Sequence, residues 1–258
     1  MKIALLTLSY EGARIAEVLK DRFVGADVFI QDCVDLAPPG EKFASIIALT
    51  AEIFGDYDGL VYIAPCGVVV RAISPLLVHK TEDPAVVVVD VCGRYAISLL
   101  SGHEGGANEL AFKVANAIGA EPVITTTTEA RKHLIVGIGC RRGTTAEAIV
   151  QAVKTVLADA RADLTDVRLL ASADVKAHEK GLLEAAKLLD LPLRFIASEE
   201  IVNSAKEFQH SDFVEEKVDL PAVAEPAALL AGRRTRLVVK KKNFPGVTVA
   251  LAQESCMW

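Results

Sequence analysis

Apolar and polar positions along this chain repeat with two different periods, and the changes between them mark its elements. Residues 2–8 (KIALLTL) form a short apolar run of strand length, and residues 11–23 place apolar side chains at helical spacing. Residues 26–30 predict a second strand. After Pro38-Pro39-Gly40, residues 41–54 read as a helix. Residues 58–63 predict a third strand, and residues 67–78 a helix closed by His79 and Lys80. The run Ala85-Val86-Val87-Val88-Val89-Asp90 is apolar and β-branched, as in a strand covered on both faces. Gly93 marks a turn before a strand at 95–99. Residues 107–118 predict a helix ended by Gly119, and residues 122–124 a short last strand.

Thr125-Thr126-Thr127-Thr128 interrupts this alternation, which then restarts. The second half predicts a strand at 134–138, a loop at 139–143, a helix at 145–158 and a strand at 167–171. A helix at 176–189, a strand at 193–196 and a loop-rich stretch through Leu220 follow. A helix at 222–231 and strands at 236–239 and 247–252 complete it. Strands alternating with helices define an α/β protein. Two α/β domains are expected. Residues 1–130 would hold a largely parallel sheet with helices on both faces, and residues 131–258 a mixed α/β sheet.

Bulk properties narrow the function classes. The chain has 258 residues, 52% of them hydrophobic, enough for a sizeable core. No apolar run approaches the roughly 20 residues needed to span a membrane. Glu11 and Arg14 follow the first apolar run directly, so a secretory signal is not expected and the chain reads as cytoplasmic. The cysteines (Cys33, Cys66, Cys92, Cys140 and Cys256) form no CxxC pair, which points to reduced thiols and to no protein-held metal. The net charge of −6 is uneven: residues 1–130 carry 9 Lys and Arg against 17 Asp and Glu, residues 131–258 carry 19 against 17. That balance argues against nucleic-acid binding. Lys240-Lys241-Lys242 is the one basic run, either a solvated strand edge or an anion site.

Against this background one stretch stands out: Leu99-Leu100-Ser101-Gly102-His103-Glu104-Gly105-Gly106-Ala107-Asn108-Glu109. It puts a histidine, a carboxylate, three glycines and an amide between a strand and an Ala-rich helix. Histidine titrates near neutral pH and serves as a general acid or base. In open parallel sheets ligands bind beyond the carboxyl ends of strands, and His103 and Glu104 are expected there. Amides near Gly105 and Gly106 would face an anion at the start of the following helix, and Asn108 would hold a carbonyl or a water. The plainer alternative makes Ser101 and Glu104 a local cap with His103 on the surface.

A second candidate is Gly137-Ile138-Gly139-Cys140-Arg141-Arg142-Gly143-Thr144-Thr145-Ala146-Glu147. Thr144 and Glu147 match a capping box. Arg141 and Arg142, beside the backbone N–H groups of Gly143 and Thr144, suit a carboxylate or phosphate. Cys140 reads as a small apolar residue more than as a nucleophile. A third candidate, Pro65-Cys66-Gly67-Val68-Val69-Val70-Arg71, offers Gly67 and Arg71 to the same cleft or leaves Arg71 a surface charge. Lys80 and Asp83 rank lower, and the groups Asp174, Lys176, His178, Glu179 and Glu199, Glu200 read as solvated caps. No HExxH, GxSxG, P-loop or GxGxxG element is present, which disfavours metalloproteases, ordinary serine hydrolases and nucleotide-dependent enzymes.

The run from Gly67 to Asn108 closely resembles cobalt-precorrin-5A hydrolases of the CbiG type. Val69-Val70-Arg71, Asp83-Pro84 with the valine run after it, and the His103 motif carry the likeness. The second half resembles that family's C-terminal domain at Val136-Gly137-Ile138-Gly139-Cys140-Arg141-Arg142-Gly143, Lys180-Gly181-Leu182-Leu183 and Phe213-Val214-Glu215-Glu216-Lys217-Val218. Val223-Ala224-Glu225-Pro226-Ala227-Ala228-Leu229 and Gly246-Val247-Thr248-Val249-Ala250 match it too. One departure is clear: many relatives carry a middle segment where this chain passes almost directly from Thr128 to Val136. The resemblance implies an enzyme of anaerobic cobalamin (vitamin B12) biosynthesis that hydrolyses a carbon–carbon bond. It would open the δ-lactone of a cobalt-corrinoid substrate and release acetaldehyde. The cobalt is carried by the substrate, so no cofactor is expected. On this reading His103 is the base, oriented by Glu104, and Asn108 with nearby amides stabilises the oxyanion. Gly67, Arg71, Gly102, Gly105, Gly106, Cys140, Arg141, Arg142, Gly143 and Thr144 would contact the substrate. A homodimer and passing contact with neighbouring pathway methyltransferases are compatible with it, and neither nucleic acid nor membrane is a partner. The alternative is a corrinoid carrier that binds an intermediate without chemistry.

Overall fold

Strands β1 (Ile3–Thr7), β4 (Gly59–Ile63) and β5 (Ala85–Val89) are buried at every position, as continuous apolar runs are when both faces of a sheet are covered. With β2 (Asp27–Gln31), β3 (Glu41–Phe43), β6 (Tyr95–Leu100) and β7 (Glu121–Val123) they form a seven-stranded sheet in the order β3-β2-β1-β4-β5-β6-β7. The computed structural model describes residues 1–35, 38–206 and 222–255, and it divides into two units, Met1–Thr126 and Thr127–Trp258.

In the first unit, helix α1 (Tyr10–Arg22) and helix α4 (Ala107–Ile118) share one core with Leu5, Val61, Val87 and Val89. Helix α2 (Ile46–Ile53) and helix α3 (Cys66–Ile73) share another with Leu6, Leu60, Tyr62 and Val88. Odd and even strand positions therefore face opposite layers, and helices cover both faces. Strands β1 to β5 are parallel to their neighbours. The exception is β6, which pairs antiparallel with β5, while β7 follows β6 in parallel.

Two helix expectations need correction here. Residues 41–43 are an edge strand, and α2 starts only after Ser45, whose side chain accepts from the Ala48 N–H. The helix expected over 67–78 ends at Ile73 and tightens into a 3-10 turn, Ser74–Leu76. Pro75 has no N–H to continue the helix.

The second unit holds a short helix α5 (Thr127–Ala130) and five strands: β8 (Leu134–Cys140), β9 (Val167–Ala173), β10 (Leu193–Ile196), β11 (Thr235–Phe244) and β12 (Val247–Glu254). Their order is β10-β9-β8-β12-β11; the first three are parallel, and β12 and β11 form an antiparallel hairpin. Helices α6 (Ala146–Asp159) and α7 (Lys180–Leu188) pack with Val136, Ile138, Val249 and Leu251 on one face. A short helix α8 (Ser198–Val202) follows β10, and α9 (Ala224–Leu230) lies on the other face. There a side chain at Gly137 would meet the Ala224 carbonyl at 1.9 Å, so only a glycine lets α9 approach so closely. The helix expected from 176 begins at Lys180 instead, after a 3-10 turn at Asp174–Lys176. The lysine run falls on edge strand β11, where Lys242 pairs with Asp159 at 2.8 Å. The motif 213–218 and Cys256 lie outside the described residues, as does the end of the loop-rich stretch.

Candidate functional site

The strand feeding the His103 turn decides where that turn sits. In the antiparallel β5–β6 pair, Leu100 stands opposite Val86, near the start of β5. Residues 101–106 therefore leave the sheet at the edge where β1, β4 and β5 begin. The sequence had placed them at the carboxyl ends; the reversal of β6 overturns that. Met1 confirms the edge: its Cε lies 3.6 Å from where a Gly106 side chain would start.

The turn is closed by its own backbone. The Ser101 carbonyl accepts from the Gly105 and Ala107 N–H groups, both at 3.1 Å, and the Gly102 carbonyl accepts from Asn108 N–H at 2.9 Å. The Gly105 amide is thus not available to an anion. Of the four amides from Gly105 to Asn108, Gly106 N–H is the one without an acceptor among the described residues. Gly106 has φ +84°, the left-handed conformation that glycine adopts without strain, and it is the N-cap of α4. A side chain at Gly105 would lie 2.4 Å from Ser101 Cβ, so the turn wraps tightly over Ser101. Ser101 itself has φ +55°, and its buried hydroxyl has no partner. It is therefore not the local cap considered from sequence.

Asn108 holds the turn from below. Its Oδ1 accepts from Ser98 Oγ at 2.8 Å and its Nδ2 donates to Thr126 Oγ1 at 3.1 Å. The amide expected to hold a carbonyl or a water is engaged on both sides, so Asn108 acts as a clamp between β6 and the chain after β7.

His103 and Glu104 are exposed. Glu104 is not bonded to His103; it pairs with Lys80 from the loop before β5. The hydrogen bond from Lys80, then the residue's own backbone N–H, hold the Glu104 carboxyl below its usual range, and nearby His103 adds to this. The Lys80 loop is itself ordered: Asp83, buried, accepts from Val78 N–H at 2.9 Å, and the His79 carbonyl accepts from Glu82 and Asp83 N–H. Gly67 and Arg71 are not part of this group. Arg71 donates to the Gly67 carbonyl at 2.8 Å, just past the carboxyl end of β4 and thus at the opposite sheet edge.

In the second unit, the loop 141–145 does sit at the carboxyl ends of parallel strands, with the chain after β9 and the hairpin turn at Gly246. The helix cap is Thr145, whose hydroxyl accepts from Ala148 N–H at 3.3 Å, not Thr144. Thr144 instead donates to the carbonyls of Arg141 (2.8 Å) and Gly246 (3.1 Å). Arg141 N–H donates to Gly246 as well. Gly143 N–H already meets an anionic oxygen, Glu179 Oε2, at 3.3 Å. The guanidinium-bearing residues Arg141 and Arg142 are exposed. Burial pushes the Cys140 thiol up to about 11, which makes it a poor nucleophile. Asp174 accepts from Ser198 Oγ, so the ends of β9 and β10 are tied together.

Lys80, Ser98, Thr126 and Glu179 are the residues sequence reasoning underweighted or missed. Among the described residues no three His, Cys, Asp or Glu side chains cluster as a metal site, and no helix is long and apolar enough to cross a membrane.

Geometry thus defines a two-unit α/β protein with a glycine-rich, charged strand-to-helix loop in each unit, 101–106 and 141–145. The Cobalamin synthesis G N-terminal family matches residues 48–129 and the Cobalamin synthesis G C-terminus family matches residues 134–252. The chain belongs to this cobalamin synthesis G (CbiG) family, and it is a hydrolase of that family. The two matches leave only residues 130–133 between them. Cobalt-precorrin-5A hydrolase of Priestia megaterium is 26% identical over 352 aligned positions, spanning 96% of this chain and 94% of that protein. That alignment is longer than the 258 residues here, so the relative carries residues this chain lacks. Cobalt-precorrin-5A hydrolase of Salmonella typhimurium is 24% identical over 78% of this chain and 83% of its own. Among solved structures, CobE, a protein from the cobalamin (vitamin B12) biosynthetic pathway, is 32% identical over 46% of this chain and 89% of that one, with a TM-score of 0.44.

Proposed function

We propose that this chain hydrolyses cobalt-precorrin-5A, opening its δ-lactone and releasing acetaldehyde to give cobalt-precorrin-5B. The observation that carries the reading is the presence of both family domains in one chain that aligns over nearly its whole length with a relative named for that substrate.

His103 takes a proton from water as the oxygen adds to the lactone carbonyl. The lactone C–O bond then breaks, leaving a carboxylate on the ring-A acetate and an alcohol at C20. Loss of the alcohol's proton turns its C–O into C=O while the bond to the macrocycle breaks. The macrocycle keeps the electron pair and takes up a proton, and the two-carbon unit leaves as acetaldehyde. Gly106 N–H is the donor that the turn leaves for the developing oxyanion. Glu104, held ionised, stabilises the imidazolium formed at His103. Within the C-terminal unit, Arg141 and Arg142 suit carboxylates of an anionic ligand. The cobalt belongs to the substrate.

The test is direct. Purified protein incubated with cobalt-precorrin-5A is expected to release acetaldehyde, up to one equivalent, above the rate without protein. Tight binding with no release would overturn the hydrolase reading and leave a corrinoid carrier.

A further inference from the structure

Two loops that are distant in sequence form one edge of the first unit. Residues 77–83 and 101–106 meet through the Lys80–Glu104 ion pair. They also meet where the Asp83 carbonyl lies 3.3 Å from the position of a Gly105 side chain. The Lys80 loop is braced by the buried Asp83 carboxylate and by the His79 carbonyl, so Lys80 is presented from a built turn. We propose that Lys80 is a positioning residue for the reaction: through this ion pair it holds the Glu104 carboxylate in place beside His103. The inference rests on the reading of His103 as the base.

The physical argument runs through what the ion pair can and cannot do. The side chains of Lys80 and Glu104 are 63% and 36% exposed, and a pair that solvated adds little to stability. Its consequence is therefore local. A carboxylate beside a general base favours the imidazolium that forms as water loses its proton, and the effect falls off steeply when the carboxylate is free to swing away. Glu104 accepts one N–H of the Lys80 ammonium, which leaves the other two free for a carboxylate of a polyanionic substrate. The charged groups that face Glu104 are Lys80 from the neighbouring loop and His103 from its own turn. No other residue between 77 and 83 pairs with the turn.

Three chains test this: wild type, Lys80→Met and Lys80→Arg. Two measurements are made on each, acetaldehyde release from cobalt-precorrin-5A and the pH titration of the Glu104 side-chain carboxyl by carbon NMR on labelled protein. Lys80→Met is expected to leave the thermal midpoint nearly unchanged and to raise the Glu104 titration toward the ordinary glutamate range. It should lower kcat about 10- to 100-fold, the scale of a misplaced catalytic group. Lys80→Arg, which keeps the charge, is expected to recover most of both. A Glu104 titration identical in wild type and Lys80→Met overturns the proposal, whether or not the wild type turns over. So does a rate loss that Lys80→Arg fails to recover. A wild type that releases no acetaldehyde defeats the hydrolase reading instead, and the titration still decides whether Lys80 holds Glu104 in solution.

Discussion

The 101–106 turn and the 141–145 loop both carry a strand into a helix, and both are rich in glycine and charge, yet they sit at unlike edges of their sheets. The first follows β6, which runs against β5, so it emerges where the parallel strands begin. The second follows β8, which runs with β9, and emerges at the carboxyl ends. In the second loop three backbone amides are already engaged, on Gly246, Arg141 and Glu179, whereas in the first Gly105 N–H is held by the Ser101 carbonyl and Gly106 N–H is left over. The exposed side chains differ as well: an imidazole beside an ion-paired carboxylate in one loop, arginines in the other. Glycine content announced close packing in both cases, at Gly105 against Ser101 and at Gly181 against Thr144.

That division of labour predicts different kinetic signatures, which is the sharpest way to break the comparison. His103→Ala is expected to lower kcat by about 100- to 10,000-fold with little change in substrate affinity. Arg142→Ala is expected to raise KM about 10-fold with kcat nearly kept, the loss of one charge-assisted hydrogen bond. Steady-state acetaldehyde release at varied substrate reads both. If Arg142→Ala lowered kcat as much as His103→Ala did, the second loop would be catalytic and the contrast would fail.

Packing separates the loops by a smaller margin. A Gly105→Ala side chain would start 2.4 Å from Ser101 Cβ and 3.0 Å from the Ser101 carbonyl. A Gly181→Ala side chain would start 2.0 Å from the Thr144 carbonyl. Overfilling such sites costs about 1–3 kcal/mol or more. Gly181 lies in the first turn of α7, so alanine's helix propensity, at most about 1 kcal/mol, does not offset the closer clash with a backbone carbonyl, and Gly181→Ala is expected to be the more destabilising. Urea unfolding followed with a probe in each unit would show the loss confined to the first unit for Gly105→Ala and to the second for Gly181→Ala.

Much of this was legible because period and punctuation act locally. The valine run of β5 and the span of α4 from Ala107 to its Gly119 stop came directly from apolar spacing and a left-handed glycine. What was not read is directional. Residues 90–94 are too few for a parallel crossover, which needs about a dozen residues or more, so the reversal of β6 was available from loop length alone. Missing it put His103 at the wrong edge and Arg71 beside it. The Lys80–Glu104 pair was beyond such reasoning, because 24 residues separate the partners and only the sheet order brings their loops together. Thr145 took the cap from Thr144 because Thr144's hydroxyl was drawn to the Arg141 and Gly246 carbonyls, a contact 102 residues away.

The smallest expected difference between the regions is in their response to pH, and its two signs are opposite. Lys80 holds the Glu104 carboxyl low, so the stability this adds is present above the ordinary glutamate range and is lost as pH falls through the depressed value. Burial holds the Cys140 thiol high, at about 11, so the folded chain keeps a proton that the unfolded chain releases. That contribution is full below the ordinary thiol range and is lost as pH rises through about 11. Solvent near the half-buried sulfur limits it to about 1 kcal/mol, or about 2–4 °C in Tm. Cys140→Ala is therefore expected to show a shallower fall of Tm than wild type on the alkaline side, and Glu104→Gln a shallower fall on the acid side. Parallel Tm curves for wild type and Cys140→Ala above the ordinary thiol range would mean that the sulfur is wetter than the packing around β8 allows, and that the second loop is more open than its hydrogen bonds imply.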